Sequence, residues 1–321
     1  MKTPISPFFL FIILIIGMIF SSISPVNAHP VLNLTVTTDQ QAYDPAENVT
    51  IYGNLTQDGT PVTDGLVGIQ INDAPNILII RTVTTGTTPQ ATPYVKLWSV
   101  VPCNSSGGPK ESFPRGTFAY FKLTVTNYDV EPRSVRVTVN VYDPNDIPFS
   151  SGSFLNPAME GQTTSSFIVS IPIPSDATTG NATAYGNAYT NWPELGGTPH
   201  CPEVSSTFLI TDGSYSTTTQ KNQHSATLQI NGNYNLTLKL SATAKAGDYP
   251  IYVTSDYQGE NAFNSTVFKV NLQGDIDGDG YVGFWDLLIF AGAYGSKEGD
   301  SNYDPRADFD HDGDVDFWDL L

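Results

Sequence analysis

The sequence predicts a mainly β chain, tandem β-sandwiches of the immunoglobulin type followed by a small, acidic helical module, and three observations carry that prediction. Between residues 31 and 272 no long period-3.6 pattern occurs, only short alternating runs cut by Gly, Pro, Asn and Asp. Those runs are five to nine residues long, the strand length and turn spacing of small sandwiches. After residue 273 the composition changes: residues 274–321 hold 13 of the 32 carboxylates against two bases, a net of −11 out of −18 for the whole chain.

Taken in order, residues 1–28 read as a signal peptide. Lys2 precedes an apolar run from Phe8 to Phe20, and Val26-Asn27-Ala28 forms a small-residue cleavage site. The apolar run is too short to span a bilayer, which takes about 20 residues. Export fits seven Asn-x-Ser/Thr sequons, at Asn33, Asn48, Asn54, Asn104, Asn181, Asn235 and Asn264. The expected setting is extracellular, secreted or attached to the cell surface.

The expected strands are 33–37, 49–55, 65–72, 77–84, 119–127, 134–142, 166–172, 182–190, 207–211, 226–230, 234–240, 249–254 and 264–270. They divide into a first sandwich over 29–88, a larger one over 89–212 and, over 213–272, a short sandwich or half-repeat that either stands as a minimal unit or shares a sheet with its neighbour. A partial internal repeat supports repeated units, because 171–194 and 238–260 place their Ala, Gly, Tyr and Glu residues alike. Two resemblances agree. The run Thr38 to Gly53, with Gly59-Thr60-Pro61-Val62 and Val67 to Ile71, resembles macroglobulin-like and related immunoglobulin-like domains of bacterial and archaeal surface proteins. Strands such as Phe121 to Asn127 resemble the cell-adhesion-type sandwiches of archaeal surface proteins. Both resemblances imply spacers and contact surfaces.

The acidic module contains two twelve-residue loops in the same register, Asp275 to Asp286 and Asp308 to Asp319, whose starts lie 33 residues apart. Calcium takes six to eight oxygens, and a loop of this kind supplies carboxylates at positions 1, 3, 5 and 12 and a carbonyl at 7. The first loop offers Asp275, Asp277, Asp279, the Tyr281 carbonyl and Asp286. The second offers Asp308, Asp310, Asp312, the Asp314 carbonyl and Asp319, with Asp316 at position 9, where the first has Gly283. The second site is therefore expected to bind more tightly. Gly280 and Gly313 stand at position 6, where the chain turns sharply. The position-8 residues, Val282 and Val315, are expected to meet as paired short strands. Phe284, Leu287, Leu288, Ala291 and Tyr294 are expected to form the core stripe of the helix after loop one.

The duplicated loop and helix, without a helix entering loop one, resembles a type I dockerin module. That resemblance implies two bound Ca2+ ions, membership of a secreted archaeal or bacterial surface protein, and docking to a cohesin-type domain through helix residues that include loop positions 10 and 11. Those positions hold Phe284-Trp285 and Phe317-Trp318, of which Trp285 and Trp318 are the expected contact pair. The final carboxylate is Asp in both loops, and the sequence ends at Leu321, where a dockerin continues into a further helix.

Two cysteines, Cys103 and Cys201, form an even pair in an exported chain and are expected to be bridged. Clustered Lys and Arg are absent, so no nucleic-acid footprint exists. No catalytic set emerges: Asp143, Asp146, Glu160, Glu194 and Glu203 are scattered, and His29, His200 and His224 lack triad companions at motif spacing. Tyr94, Trp98, Tyr185, Tyr189, Trp192 and Tyr257 either stack on carbohydrate or pack in cores. The expected function is a non-catalytic modular surface protein; the alternative is a carbohydrate-binding accessory or hydrolase component of a polysaccharide-degrading complex.

Overall fold

The computed structural model describes residues 29–86, 93–213, 231–279, 281–310 and 312–320. The expected signal peptide, the strand 226–230, His224, Gly280 and Leu321 lie outside them. The chain groups into two units, Met1–Val31 and Leu32–Leu321. Of the first, residues 29–31 are described and carry no regular structure.

The second unit is mostly β. Its strands are β1 (Leu32–Leu34), β2 (Thr37–Thr38), β3 (Ala42–Tyr43), β4 (Asn48–Gln57), β5 (Thr60–Pro61), β6 (Leu66–Asp73), β7 (Asn76–Thr84), β8 (Val95–Cys103), β9 (Ser112–Pro114), β10 (Phe118–Asn127), β11 (Arg133–Tyr142), β12 (Pro148–Met159), β13 (Thr163–Pro172), β14 (Gly180–Tyr189), β15 (Val204–Thr211), β16 (Asn233–Lys239), β17 (Gly247–Tyr257) and β18 (Glu260–Val270). One α-helix, α1 (Phe284–Ala293), and two short 3-10 turns, Pro193–Leu195 and Trp318–Leu320, complete it.

The strands form two pairs of sheets with the same wiring. In one, β1-β4-β16 faces β3-β18-β17-β6-β7; in the other, β8-β10-β13 faces β9-β15-β14-β11-β12. Each larger sheet gains its outer strand through a parallel pairing of a short early strand with the last one, β3 on β18 and β9 on β15. Alternation along the strands directs one side of each into a core. Val49, Ile51 and Leu55 on β4 meet Ile69, Ile71, Ile251, Val253 and Phe268 from the opposite sheet, while Phe121, Leu123 and Val125 on β10 meet Val137, Val139, Ala182 and Phe208 in the other pair.

The expected division into three consecutive β domains is corrected here. The described residues from 231 to 270 make no unit of their own. β16 pairs along its length with β4, Leu236 opposite Ile51, and β17 pairs with β6, Val253 opposite Ile69. Residues 32–86 and 231–270 therefore build one outer pair of sheets, and 93–211 is an inner pair inserted between β7 and β16. The arrangement is nested, not tandem. Alone, the late strands would bury one face only, and β4 and β6 offer the edges that complete it. The internal repeat marks equivalent points: Gly180 and Gly247, at φ 136 and 139, open β14 and β17, the strands that cross to the larger sheet in each pair.

The nested pairs are joined along β7, an edge strand. Asn140 accepts from Ile80 N at 2.7 Å and donates back to Ile80 O, and Asn187 Nδ2 donates to the same carbonyl at 3.1 Å. Edge backbone that would be left unpaired is thus satisfied by side chains of the inner pair. Beside it, Arg81 makes a two-pronged bond to Glu203, both contacts 2.7 Å, with its guanidinium 3.5 Å above the Tyr185 ring. Burial alone would weaken the guanidinium's charge; the Glu203 carboxylate more than offsets this and holds Arg81 protonated. Tyr189 donates to Arg81 O at 2.6 Å and accepts from Thr82, and a Cβ at Gly68 would stand 2.6 Å from its ring.

Candidate metal centre

From β18 the chain runs directly into loop one, turning where Asp275 N donates to Leu272 O. Each loop is then closed by its twelfth residue in the same way. Asp286 is buried; its Oδ1 accepts from Ile276 N at 2.6 Å and Asp277 N at 3.0 Å, and its Oδ2 accepts from Gly283 N at 2.6 Å. Asp319, also buried, repeats this 33 residues on: Oδ1 takes Phe309 N at 2.6 Å and Asp310 N at 3.3 Å, and Oδ2 takes Asp316 N at 2.7 Å. Between those points Asp277 and Asp279 cap Asp279 N and Tyr281 N, as Asp310 and Asp312 cap Asp312 N and Asp314 N. The backbone amides of Asp277 and Gly283 hold the Asp286 carboxyl below its ordinary value.

Carboxylate oxygens of Asp275, Asp277 and Asp286 lie within 4.8 Å of one another, as do those of Asp308, Asp310 and Asp312. Asp279 and Asp319 fall outside these groupings. Such clusters of oxygen donors suit a hard cation and offer nothing to a soft one. Asp312 is raised above the ordinary carboxylate range, chiefly by the hydrogen bond it shares with Asp314, while Asp314 is lowered by Lys297, whose Nζ lies 2.7 Å away.

Two expectations for this region are corrected. The position-8 residues do not pair: Val315 is buried and joins the segment after α1, through Gly295 N to Val315 O and Val315 N to Ser296 O, while Val282 is exposed. The core stripe is also rotated. Ile276, Phe290, Ala293, Ala307 and Val315 form the core, with Ile289, Tyr303 and Phe309 against it. Phe284, Leu287, Leu288, Ala291 and Tyr294 face outward. Trp285 and Trp318 are 65% and 64% exposed, and on α1 Trp285 adjoins the exposed Phe284, Leu287 and Leu288 as an apolar face.

The expected disulfide is corrected as well: both thiols are unbridged and buried. Cys201 Sγ accepts from Leu97 N at 3.2 Å, and Cys103 lies six residues further along β8. An extended strand puts roughly 20 Å between those points, whereas bridged Cα atoms lie about 4.4 to 6.8 Å apart. Burial pushes the Cys201 thiol up to about 11.

Of the sequon residues, Asn33, Asn48, Asn104 and Asn235 are exposed, and Asn54, Asn181 and Asn264 are half-buried. The Asn264 amide already donates to Leu34 O at 2.8 Å. The scattered carboxylates hold structure: Glu194 accepts from Asn72 and Glu203 from Arg81. Tyr185 and Tyr189 are buried, Trp192 and Tyr257 are half-buried, and Tyr94 and Trp98 remain exposed. Sequence reasoning missed their neighbour Tyr128, whose ring centroid lies 6.5 Å from that of Trp98. Among the described residues no helix is long and apolar enough to cross a membrane.

No protein-family model matches the chain, and no curated protein matches it. Among solved structures it is similar to the C-terminal domain of Wzt, at 13% identity and a TM-score of 0.32, over 41% of this chain and 87% of that one. It is also similar to the alkylpurine DNA glycosylase AlkC of Pseudomonas fluorescens bound to DNA containing an abasic site analog, at 11% identity and a TM-score of 0.27, over 38% of this chain and 31% of that one. Superpositions this loose carry neither fold nor activity across.

Proposed function

We propose that residues 273–321 are a dockerin-like module that binds two calcium ions and docks to a cohesin-type domain, and that the β region ahead of it is a non-catalytic immunoglobulin-like spacer of a secreted or surface protein. The observation that carries the reading is the equivalence of the two loops. Chance could supply one D-x-D-x-D-G run, but two loops 33 residues apart, each closed by a buried position-12 Asp on the same three amides, amount to a duplicated binding unit.

Calcium would supply the charge neutralisation that the loops lack. Their ten carboxylates rest on a core of five buried residues, too few to offset mutual repulsion unaided. Asp286 and Asp319 contribute by fixing loop closure through their backbone bonds, and the early aspartates by aiming oxygens at a common point. The immunoglobulin-like reading of the spacer is supported by the shared strand wiring and by Tyr249, which lies near the start of β17 and donates to Lys245 O four residues back, as in a tyrosine corner.

Calorimetric titration of the chelator-stripped protein with Ca2+ tests the metal reading. Two equivalents with dissociation constants of about 10⁻⁴ M or tighter are expected, and Asp286→Ala and Asp319→Ala should each remove one. No calcium heat at millimolar ion would refute it. Docking is tested separately, by pull-down against cohesin domains with and without calcium.

A further inference from the structure

The nesting of the two sheet pairs leaves a cleft at their junction with a volume of about 1020 Å³. One wall is the turn Asp256 to Gly259 with Asp64; the other is the start of β8 and the segment His200 to Val204. We infer that this cleft is a binding site for a neutral polysaccharide chain, with Tyr94 and Tyr128 of its lining as the stacking platform and Trp98, outside the lining but beside Tyr128, extending it.

The aromatic groups carry the argument first. Tyr94 and Trp98 stand on the same side of the β8 edge, 64% and 49% exposed, with Tyr128 opposite on the adjoining loop. Single exposed rings are ordinary on a sandwich surface, but these three are grouped, and they are braced. Trp98 Nε1 donates to Thr126 Oγ1 at 2.8 Å, Lys96 Nζ sits 3.8 Å from the Trp98 ring, and the Arg133 guanidinium lies 4.7 Å from the Tyr94 ring. Tyr128 N donates to Tyr94 O at 2.7 Å, tying the two Tyr-bearing segments together. Rings held in this way lose little freedom on binding a flat, weakly polar face.

The polar groups select the ligand class. Asp64 and Asp256 line the cleft, bonded to Tyr257 and to Gly259 N respectively and keeping further acceptor sites on each carboxylate, and sugar hydroxyls donate and accept while the C–H faces of the rings lie on aromatics. A proline-rich peptide would also suit aromatic walls but brings few N–H groups for two carboxylates. The lining carries a small negative excess, Lys96 against Asp64 and Asp256, because Arg133 is paired with Asp129 and Glu203 with Arg81. That favours a neutral glycan over an acidic one. The volume lies at the top of the range for ligand pockets, about 300 to 1,000 Å³, enough for several sugar rings.

This site belongs to the nested sheets, so its test is independent of the calcium module. The full mature chain is run in affinity gels containing a soluble β-glucan, xylan, galactomannan or α-glucan, with and without EDTA, and linear oligosaccharides of any retarding glycan are then titrated calorimetrically. Retardation by at least one polymer, unchanged by EDTA, is expected. Tyr94→Ala with Trp98→Ala should weaken it about tenfold or more, with thermal stability kept because both rings are exposed, and Asp64→Ala with Asp256→Ala should weaken it through the other wall. No retardation by any of the four polymers, undiminished affinity in both double variants, or tighter binding of a polyproline peptide than of every glycan would each overturn the inference.

Discussion

Glu203→Gln is the sharpest test of how the nested sheets are joined. Arg81 and Glu203 are 12% and 14% exposed at the side chain and bonded at two points. Removing the carboxylate charge leaves a guanidinium in a desolvated site, a change that costs about 3–5 kcal/mol when one partner of a buried pair is lost. The Gln oxygen keeps one bond, and the stack of Arg81 on Tyr185 persists, so about 3 kcal/mol is expected. For a body of this size that lowers the melting temperature by roughly 6–12 °C. Differential scanning calorimetry reads both the shift and its shape. The wild type should unfold the inner and outer sheets in one transition, because Asn140, Asn187 and Tyr189 tie β7 to the inner pair. In the variant that transition should broaden or split. Arg81→Met combined with Glu203→Leu removes both charges and should recover most of the loss. A shift below about 1 kcal/mol for Glu203→Gln would mean that the pair is water-exposed and that the junction is held otherwise.

Four further outcomes are expected. Chelation should abolish the helical circular dichroism of residues 284–293 while the β signal persists; a spectrum indifferent to EDTA would contradict the metal reading. Burial lowers His200 to about 4, and its ring bonds Ser134 O at 2.9 Å. Between pH 6.5 and 4 the unfolded chain binds a proton that the folded chain does not, so stability should fall with pH across that window by up to about 3 kcal/mol. His200→Gln should flatten this dependence, and equal slopes would place the acid sensitivity elsewhere. Mass spectrometry after alkylation in denaturant, without reductant, should find two free thiols at Cys103 and Cys201, and a single bridged species would contradict the strand placement. Trp285→Ala and Trp318→Ala should leave the calcium-loaded melting temperature within about 0.5 kcal/mol equivalent, since both rings are exposed; a large loss would show that they pack inside.

Strand existence was legible because alternation is written residue by residue, as in Phe118 to Asn127. Two long strands were not. β8 contains Pro102, and β12 contains Gly152 and Pro157, all of which read as breakers; both strands are sheet edges, where a missing N–H or side chain is tolerated. The nesting was illegible because alternation reports which face is buried and not which strand supplies the neighbouring hydrogen bonds. On α1 the sequence Phe-Trp-Asp-Leu-Leu-Ile-Phe-Ala-Gly-Ala is apolar nearly all round, so periodicity cannot choose the inner face. The aspartate spacing of the loops is a local property, and the structure groups Asp275, Asp277 and Asp286 in one loop and Asp308, Asp310 and Asp312 in the other while leaving Asp279 and Asp319 outside. The cleft lies between segments far apart in the chain, and no local pattern marks it.

The parallel pairing of β3 with β18 sets how the protein would carry mechanical tension. Residues 42–43 follow β1 and β2, which lie on β4, and residues 269–270, their partners, leave toward the C-terminal module. A pull between the two ends slides these strands past each other, so their bonds, with Lys269 N to Gln41 O and Asn271 N to Tyr43 O, strain together instead of unzipping in turn. The inner sheets, entered from β7 and left toward β16, lie off that line of force. A chain wired this way can be loaded at both ends while the cleft wall on β8 stays unloaded until the outer clamp gives way.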